Sequence, residues 1–304
     1  MVFVMPFPLW ASSLCHTPGD AWPGTGRSDT WHPEQNTRCF RPGSSKPVNK
    51  AALRYGEIFA RLDVDQEYFQ PLLELARHSD TRFCLEDRAD GTRGYFDYRF
   101  NLIAVRETLD LEQQAAIVLH ELRHLSHVHK GYRLTLEYAR EEMVRMTFAV
   151  EADVQAFLAL FAWRLRSAGD DRLWRTLLGF RRYADIAIRF QRVLEQSGDE
   201  LVAARAAFDQ WYRSDWRVTG YFRGCTTGYL DLLKETRMVE RYDKLPENFF
   251  DRLCELPDGR NYRCQESDQI RATRRYPPAA PGSDGSRGDT VRRRWPAPAP
   301  SDTP

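Results

Sequence analysis

The sequence predicts an α+β fold that is predominantly α, with a small sheet next to a helical body. Three observations carry this. Apolar residues recur at three- and four-residue spacing through most of residues 49–265, and two stretches rich in aromatic and β-branched residues are confined to 82–107. Both ends of the chain lack any such period.

Residues 1–48 are rich in Gly, Pro, Ser and Thr and end in "RPGSSKPVNK", so a disordered N-terminal extension is expected. Its first stretch, "MVFVMPFPLWASSLC", is apolar but has no basic region and carries two prolines, which makes a poor secretory signal. A cytoplasmic location is therefore expected, with export left open. Residues 49–268 form the expected domain. In it, "AALRYGEIFARL" and "QEYFQPLLELARH" have helical period. "RFCLED" and "GYFDYRFNLIAVRE" follow as strand candidates, with the turn-forming "DRADGTRG" between them. Helices are expected over about 111–130, 135–166, 171–197 and 199–213, and then an irregular region containing "GYFRGCTTGYLDLL". Residues 269–304 read as a disordered Pro/Arg-rich tail.

Charge narrows the partners. Lys plus Arg (44) nearly cancels Asp plus Glu (43), a formal +1, which argues against a nucleic-acid or acidic-membrane binder. No apolar run approaches the ~20 residues of a membrane span, so no transmembrane segment is expected. None of the six cysteines forms C-x-x-C, and the simplest expectation is isolated buried thiols; a Cys254–Cys264 bridge would suit an exported chain.

Chemistry concentrates in "VLHELRHLSHVHKGY", residues 118–132, which holds four of the seven histidines. Asp110 and Gln113 suit the start of a helix there, and Lys130 and Gly131 its end. On the helical wheel Leu111, Ala115, Val118, Leu122 and Leu125 gather within about 80° as a core stripe. His120 and His124 lie roughly opposite, one turn apart, where two imidazoles can converge on one ion. Glu121 flanks them, placed to take a proton from a metal-activated water. His127 sits too far along the axis to join both and reads as lining, and His129 as a surface residue. In the alternative reading without metal, His120 and His124 are ordinary polar-face residues.

This H-E-x-x-H resembles the signature of the zincin metallopeptidases. The metzincin extension fails, since position 127 is His and position 130 is Lys. A third ligand from a later helix remains, as in gluzincins, and the candidates are Glu137, Glu141, Glu142, Glu151 and Asp153. The first three lie in "LEYAREEMVR", where Glu141–Arg145 has the spacing of a solvated i,i+4 pair. Glu151 lies in the nearly apolar "MTFAVEADVQAFLALFAW", where a carboxylate needs a cation. Glu151 is preferred over the Glu141/Glu142 pair, on condition that residues 131–143 contain an irregular stretch; a helix running unbroken from 135 would carry Glu151 about 15 Å past His124. Asp153 would then orient a ligand histidine or form a helix salt bridge.

With "HELRH" followed by "EAD" on the next helix, the chain resembles a family of bacterial proteins described as metallopeptidases, gluzincin-like in their downstream acidic motif. The resemblance implies a zincin-like domain and a zinc-dependent peptidase acting on peptide or protein substrates. Its Zn²⁺ would be held by His120, His124 and Glu151, with Glu121 as catalytic base. "FNLIAVRE" holds the place of a substrate-pairing edge strand. Tyr212, Arg217, Tyr221 and Tyr229 are available for oxyanion stabilisation, and none is singled out. The rival readings are an inactive zincin-like binding protein, a zinc hydrolase of a non-peptide amide and a metal-free helical interaction protein.

Overall fold

The computed structural model describes residues 38–43, 48–86 and 93–271. In chain order these form β1 (Cys39–Phe40), α1 (Lys50–Leu62), α2 (Gln66–His78), β2 (Arg82–Glu86), β3 (Gly94–Asp97), β4 (Leu102–Arg106), α3 (Leu111–His129), α4 (Arg140–Ser167), α5 (Arg172–Gly179), α6 (Ala184–Ser197), α7 (Glu200–Trp211), α8 (Asp215–Thr236) and the short α9 (Asp268–Arg271). The fold is α+β and mostly helical, as the sequence predicts.

Local chemistry starts and stops the central elements. The Asn49 side chain accepts from the Ala52 N–H at 2.9 Å to begin α1, and Asp110 accepts from the Gln113 N–H at 2.8 Å to begin α3. Gly131, at φ +95°, ends α3 in a conformation that L side chains rarely adopt. The sheet order is β1-β2-β4-β3, with β2 and β4 parallel and both outer pairs antiparallel. Arg106 N donates to Arg93 O at 2.8 Å. By antiparallel alternation, Tyr95 then pairs with Ala104, and the Gly94 and Phe96 amides point to the open side of β3. At Gly94 a Cβ would collide with the Ile117 side chain and crowd Ala104 O, so glycine is what lets β3 lie against α3.

Helices α3 and α4 sit at the centre. Every residue from Gln114 to His127 and from Met146 to Ala162 is buried. A helix surrounded on all sides needs apolar residues all round, and both have them except where the site interrupts. α4 is long and apolar enough to cross a bilayer, yet 94% of its most apolar window is buried inside the fold, as in a core helix. Arg61 ties the ensemble together, reaching Glu112 on α3 at 2.7 Å and Asp170, beyond α4, at 3.0 Å.

Several expectations need correction. Residues 38–43, expected to lie in a disordered extension, belong to the fold: Cys39 and Phe40 pair with Cys84 and Phe83. The remainder of that extension (apart from 48) and residues 272–304 of the tail lie outside the described residues, while α9 carries the fold past 268. The cysteines are not isolated thiols. Cys39–Cys84 and Cys254–Cys264 are disulfides, with Cα atoms 4.0 and 6.0 Å apart, and no free cysteine remains among the described residues. The helix expected over 171–197 breaks at 180–183. The region expected to be irregular is α8. "FNLIAVRE" supplies β4, an inner strand, and β3 is the edge strand beside it.

Candidate metal centre

Most of the buried polar side chains among the described residues lie on α3 and α4. His120, Glu121, His124 and Glu151 are at most 1% exposed. One turn of α3 separates the histidines, and their Nε2 atoms stand 3.0 Å apart. From α4, Glu151 Oε1 comes within 3.3 Å of His124 Nε2. Ligand atoms about 2.0–2.1 Å from a tetrahedral ion stand roughly 3.3 Å from one another, so both separations suit one shared cation. One carboxylate oxygen of Glu121 and one ring nitrogen of each histidine also lie within 4.8 Å of one another.

The electrostatics fit a cation as well. Burial, followed by the neighbouring His124 and His127, pushes His120 well below the usual histidine range, leaving the neutral ring that binds metal. Burial also presses on His124, but the Glu151 carboxylate beside it outweighs this and raises it. Burial drives Glu121 up to about 8; Glu151 adds to the rise, while His124 and the Phe96 amide oppose it. Neither carboxylate completes a well-formed hydrogen bond within the protein, although the Phe96 amide is directed at Glu121 and the Tyr221 hydroxyl at Glu151. Two buried acids left so are costly by several kcal/mol. A divalent ion would satisfy both.

Residues 33–264 match a family model described as "Putative metallopeptidase family (DUF6782)". The chain belongs to this family. No curated protein and no solved structure matches it. The description of this metallopeptidase family implies a metal and a hydrolase, and His120, Glu121 and His124 form a group that could bind the ion.

The other candidates lie around this cluster. Residues 130–139 contain no helix, so α4 begins only at Arg140 and brings Glu151 level with His124. That supplies the irregular stretch on which the choice of Glu151 depended. Glu137 is exposed. Glu141 pairs with Arg140 at 3.0 Å and not with Arg145; Arg145 pairs with Glu142 at 2.9 Å. Both lie about two and a half turns before Glu151. His129 is exposed, as expected, whereas His120 and His124 are not the polar-face surface residues of the metal-free alternative.

Of the two roles open to Asp153, the structure shows the salt bridge. It contacts neither His120 nor His124. Its carboxylate takes a two-pronged bond from Arg123, at 2.7 and 3.1 Å, and one from the Tyr262 hydroxyl at 2.5 Å. His127 Nε2 lies 2.8 Å from it. Burial is countered by Arg123 and then His127, which together hold Asp153 well below the carboxylate range. The group beside His120 Nδ1 is the Gln155 carboxamide at 3.4 Å; with its oxygen turned inward it would accept the Nδ1–H and leave Nε2 for a metal. Sequence reasoning missed Gln155, although its place one turn after Glu151 was a usable signal.

Of the four downstream residues, Tyr221 lies beside Glu151. Tyr212 packs among Phe148, Phe208 and Trp211. Tyr229 donates to Tyr138 O at 2.9 Å. Arg217 pairs with Asp185 at 2.7 Å and donates to carbonyls of Trp211, Gln210 and Arg182.

Proposed function

We propose that the protein is a zinc-dependent peptidase in which His120, His124 and Glu151 hold the ion and Glu121 is the general base. The observation that carries this reading is the convergence of two neutral-capable imidazoles and a buried, under-satisfied carboxylate at separations of 3.0 and 3.3 Å. A zinc ion there supplies Lewis acidity, polarising a carbonyl and acidifying a water. Glu121 takes the proton from the attacking water and delivers it to the leaving amine, a relay for which a carboxylate has the right strength. The Phe96 amide, on the open side of β3, steadies Glu121 before substrate arrives. The same strand side offers an extended peptide main-chain partners next to the catalytic acid, which favours a peptide over a compact amide.

Replacing Glu121 with Gln keeps the shape and removes the base. The variant should retain about one equivalent of metal and lose ~10²–10⁴-fold in cleavage of a peptide library. Full activity in Glu121→Gln would refute the base. Loss of metal together with activity would favour a second arrangement, prompted by the 4.8 Å grouping, in which Glu121 is itself a ligand.

A further inference from the structure

Two places in the fold run against local sequence preference, and both deliver a hydroxyl to the same spot. The first is the break at 180–183, which ends α5 and starts α6 and turns the Tyr183 side chain into the core, 4% exposed. The second is α8. Gly220, Gly224 and Gly228 recur in it every fourth residue, which weakens a helix, yet it forms and packs on α4 with Tyr221 and Cys225 on its buried side. The two phenol oxygens meet at 3.2 Å, and Tyr221 lies beside Glu151, neither of whose buried carboxylate oxygens has a hydrogen-bond partner in the protein.

We infer that Tyr183 and Tyr221 form a relay that positions Glu151 for the metal, with Tyr221 donating to the carboxylate and Tyr183 donating to Tyr221. This rests on the reading of Glu151 as a ligand. A carboxylate has more lone pairs than a single ion uses, and the oxygen turned away from the ion requires a donor in a site without solvent. An arginine or lysine would supply one at the cost of competing with the cation for the same charge. A phenol does not, because its O–H donates without carrying a charge. The contrast lies on the same helix, where Asp153 is held by Arg123 and has no charge to spare for an ion.

Both residues are positioning residues, so the test reads the metal and not only turnover. Zinc affinity is measured by competition with a chromophoric chelator for wild type, Tyr221→Phe, Tyr183→Phe and the double variant, with Tyr229→Phe as a control. Cobalt(II) replaces zinc for a visible spectrum of each. Tyr221→Phe should bind zinc ~10–100-fold more weakly and shift the cobalt bands, as removal of a ligand's hydrogen-bond partner does. Tyr183→Phe should lose ~2–10-fold, and the double variant no more than Tyr221→Phe alone, because the two act in series. Should Tyr221→Phe fail to fold, the affinity and cobalt spectrum of Tyr183→Phe decide the matter instead. Wild-type affinity in both single variants with unchanged cobalt spectra overturns the relay and leaves the peptidase reading standing. A wild type that binds no zinc or cobalt overturns both.

Discussion

Helices α3 and α4 bring together two clusters of buried charge, about one turn apart, and the two behave in opposite ways. At one, His120, Glu121, His124 and Glu151 present carboxylate oxygens that find no well-formed partner in the protein. At the other, Arg123 and Tyr262 hydrogen-bond to Asp153 with His127 beside it, and Arg123 further donates to the carbonyls of Glu255 at 3.0 Å and Leu253 at 3.3 Å. Those carbonyls belong to the segment entering the Cys254–Cys264 loop, so the second cluster fastens the C-terminal part of the domain to the first cluster's helices. Residue types hardly distinguish the two. What distinguishes them is whether positive charge is built in or has to be bound. A buried acid beside an arginine is matched within the protein; a buried acid beside two imidazoles is left to find its cation elsewhere.

The largest difference should appear when the built-in cation is removed. Arg123→Leu strands Asp153 in the core and should destabilise the fold by about 3–5 kcal/mol in urea unfolding, with or without zinc. A loss below about 1 kcal/mol would mean that the second cluster is not a charge-matched unit.

Acid and base should next pull the clusters apart. Burial lowers His127 to about 3 despite the Asp153 carboxylate beside it, so below about 6.5 the unfolded chain takes up a proton that the folded one refuses. Stability falls as pH drops through that window, and Asp153, also depressed, adds to the loss below about 4. Glu121 has the opposite sign. In metal-free protein, raised to about 8, it holds a proton that the unfolded chain has released, so its contribution falls as pH rises from about 4.5 to about 8. Unfolding free energies against pH should lose the acid slope, on the order of a few kcal/mol, in His127→Gln. Metal-free Glu121→Gln should lose the neutral-range slope. Identical profiles in wild type and variants would contradict these assignments.

The smallest effect concerns Glu151. Without metal, Glu151→Gln removes an under-satisfied buried charge and should leave stability unchanged or raise it by about 1 kcal/mol. With zinc, the same variant should forfeit the metal-dependent rise in Tm that wild type shows. A clear loss of stability in the metal-free variant would place Glu151 with the structural cluster.

Much of the first cluster was legible because its determinants are local. The Asp110 cap and the Lys130–Gly131 end frame α3, a four-residue spacing stacks His120 on His124, and the apolar run around Glu151 marks it as a buried acid in need of a cation. The second cluster depends on distance. Arg123 meets Asp153 across 30 residues and Tyr262 meets it across 109, so the sequence left a ligand histidine and a salt bridge both open for Asp153 and did not single out the arginine. β1 was missed for the same reason: two residues become a strand through pairing and a disulfide with a segment 45 residues later. α8 was missed because three glycines cost a helix about 1 kcal/mol each relative to alanine, a deficit that packing on α4 outweighs.

One measurement bears on the centre most directly: anomalous diffraction at the zinc edge from crystals of untagged protein. A zinc site of the proposed kind gives a single peak about 2.0–2.2 Å from His120 Nε2, His124 Nε2 and an oxygen of Glu151, with Glu121 close by but outside bonding distance. A fully loaded ion bound elsewhere, or no ion in protein supplied with zinc, would contradict it.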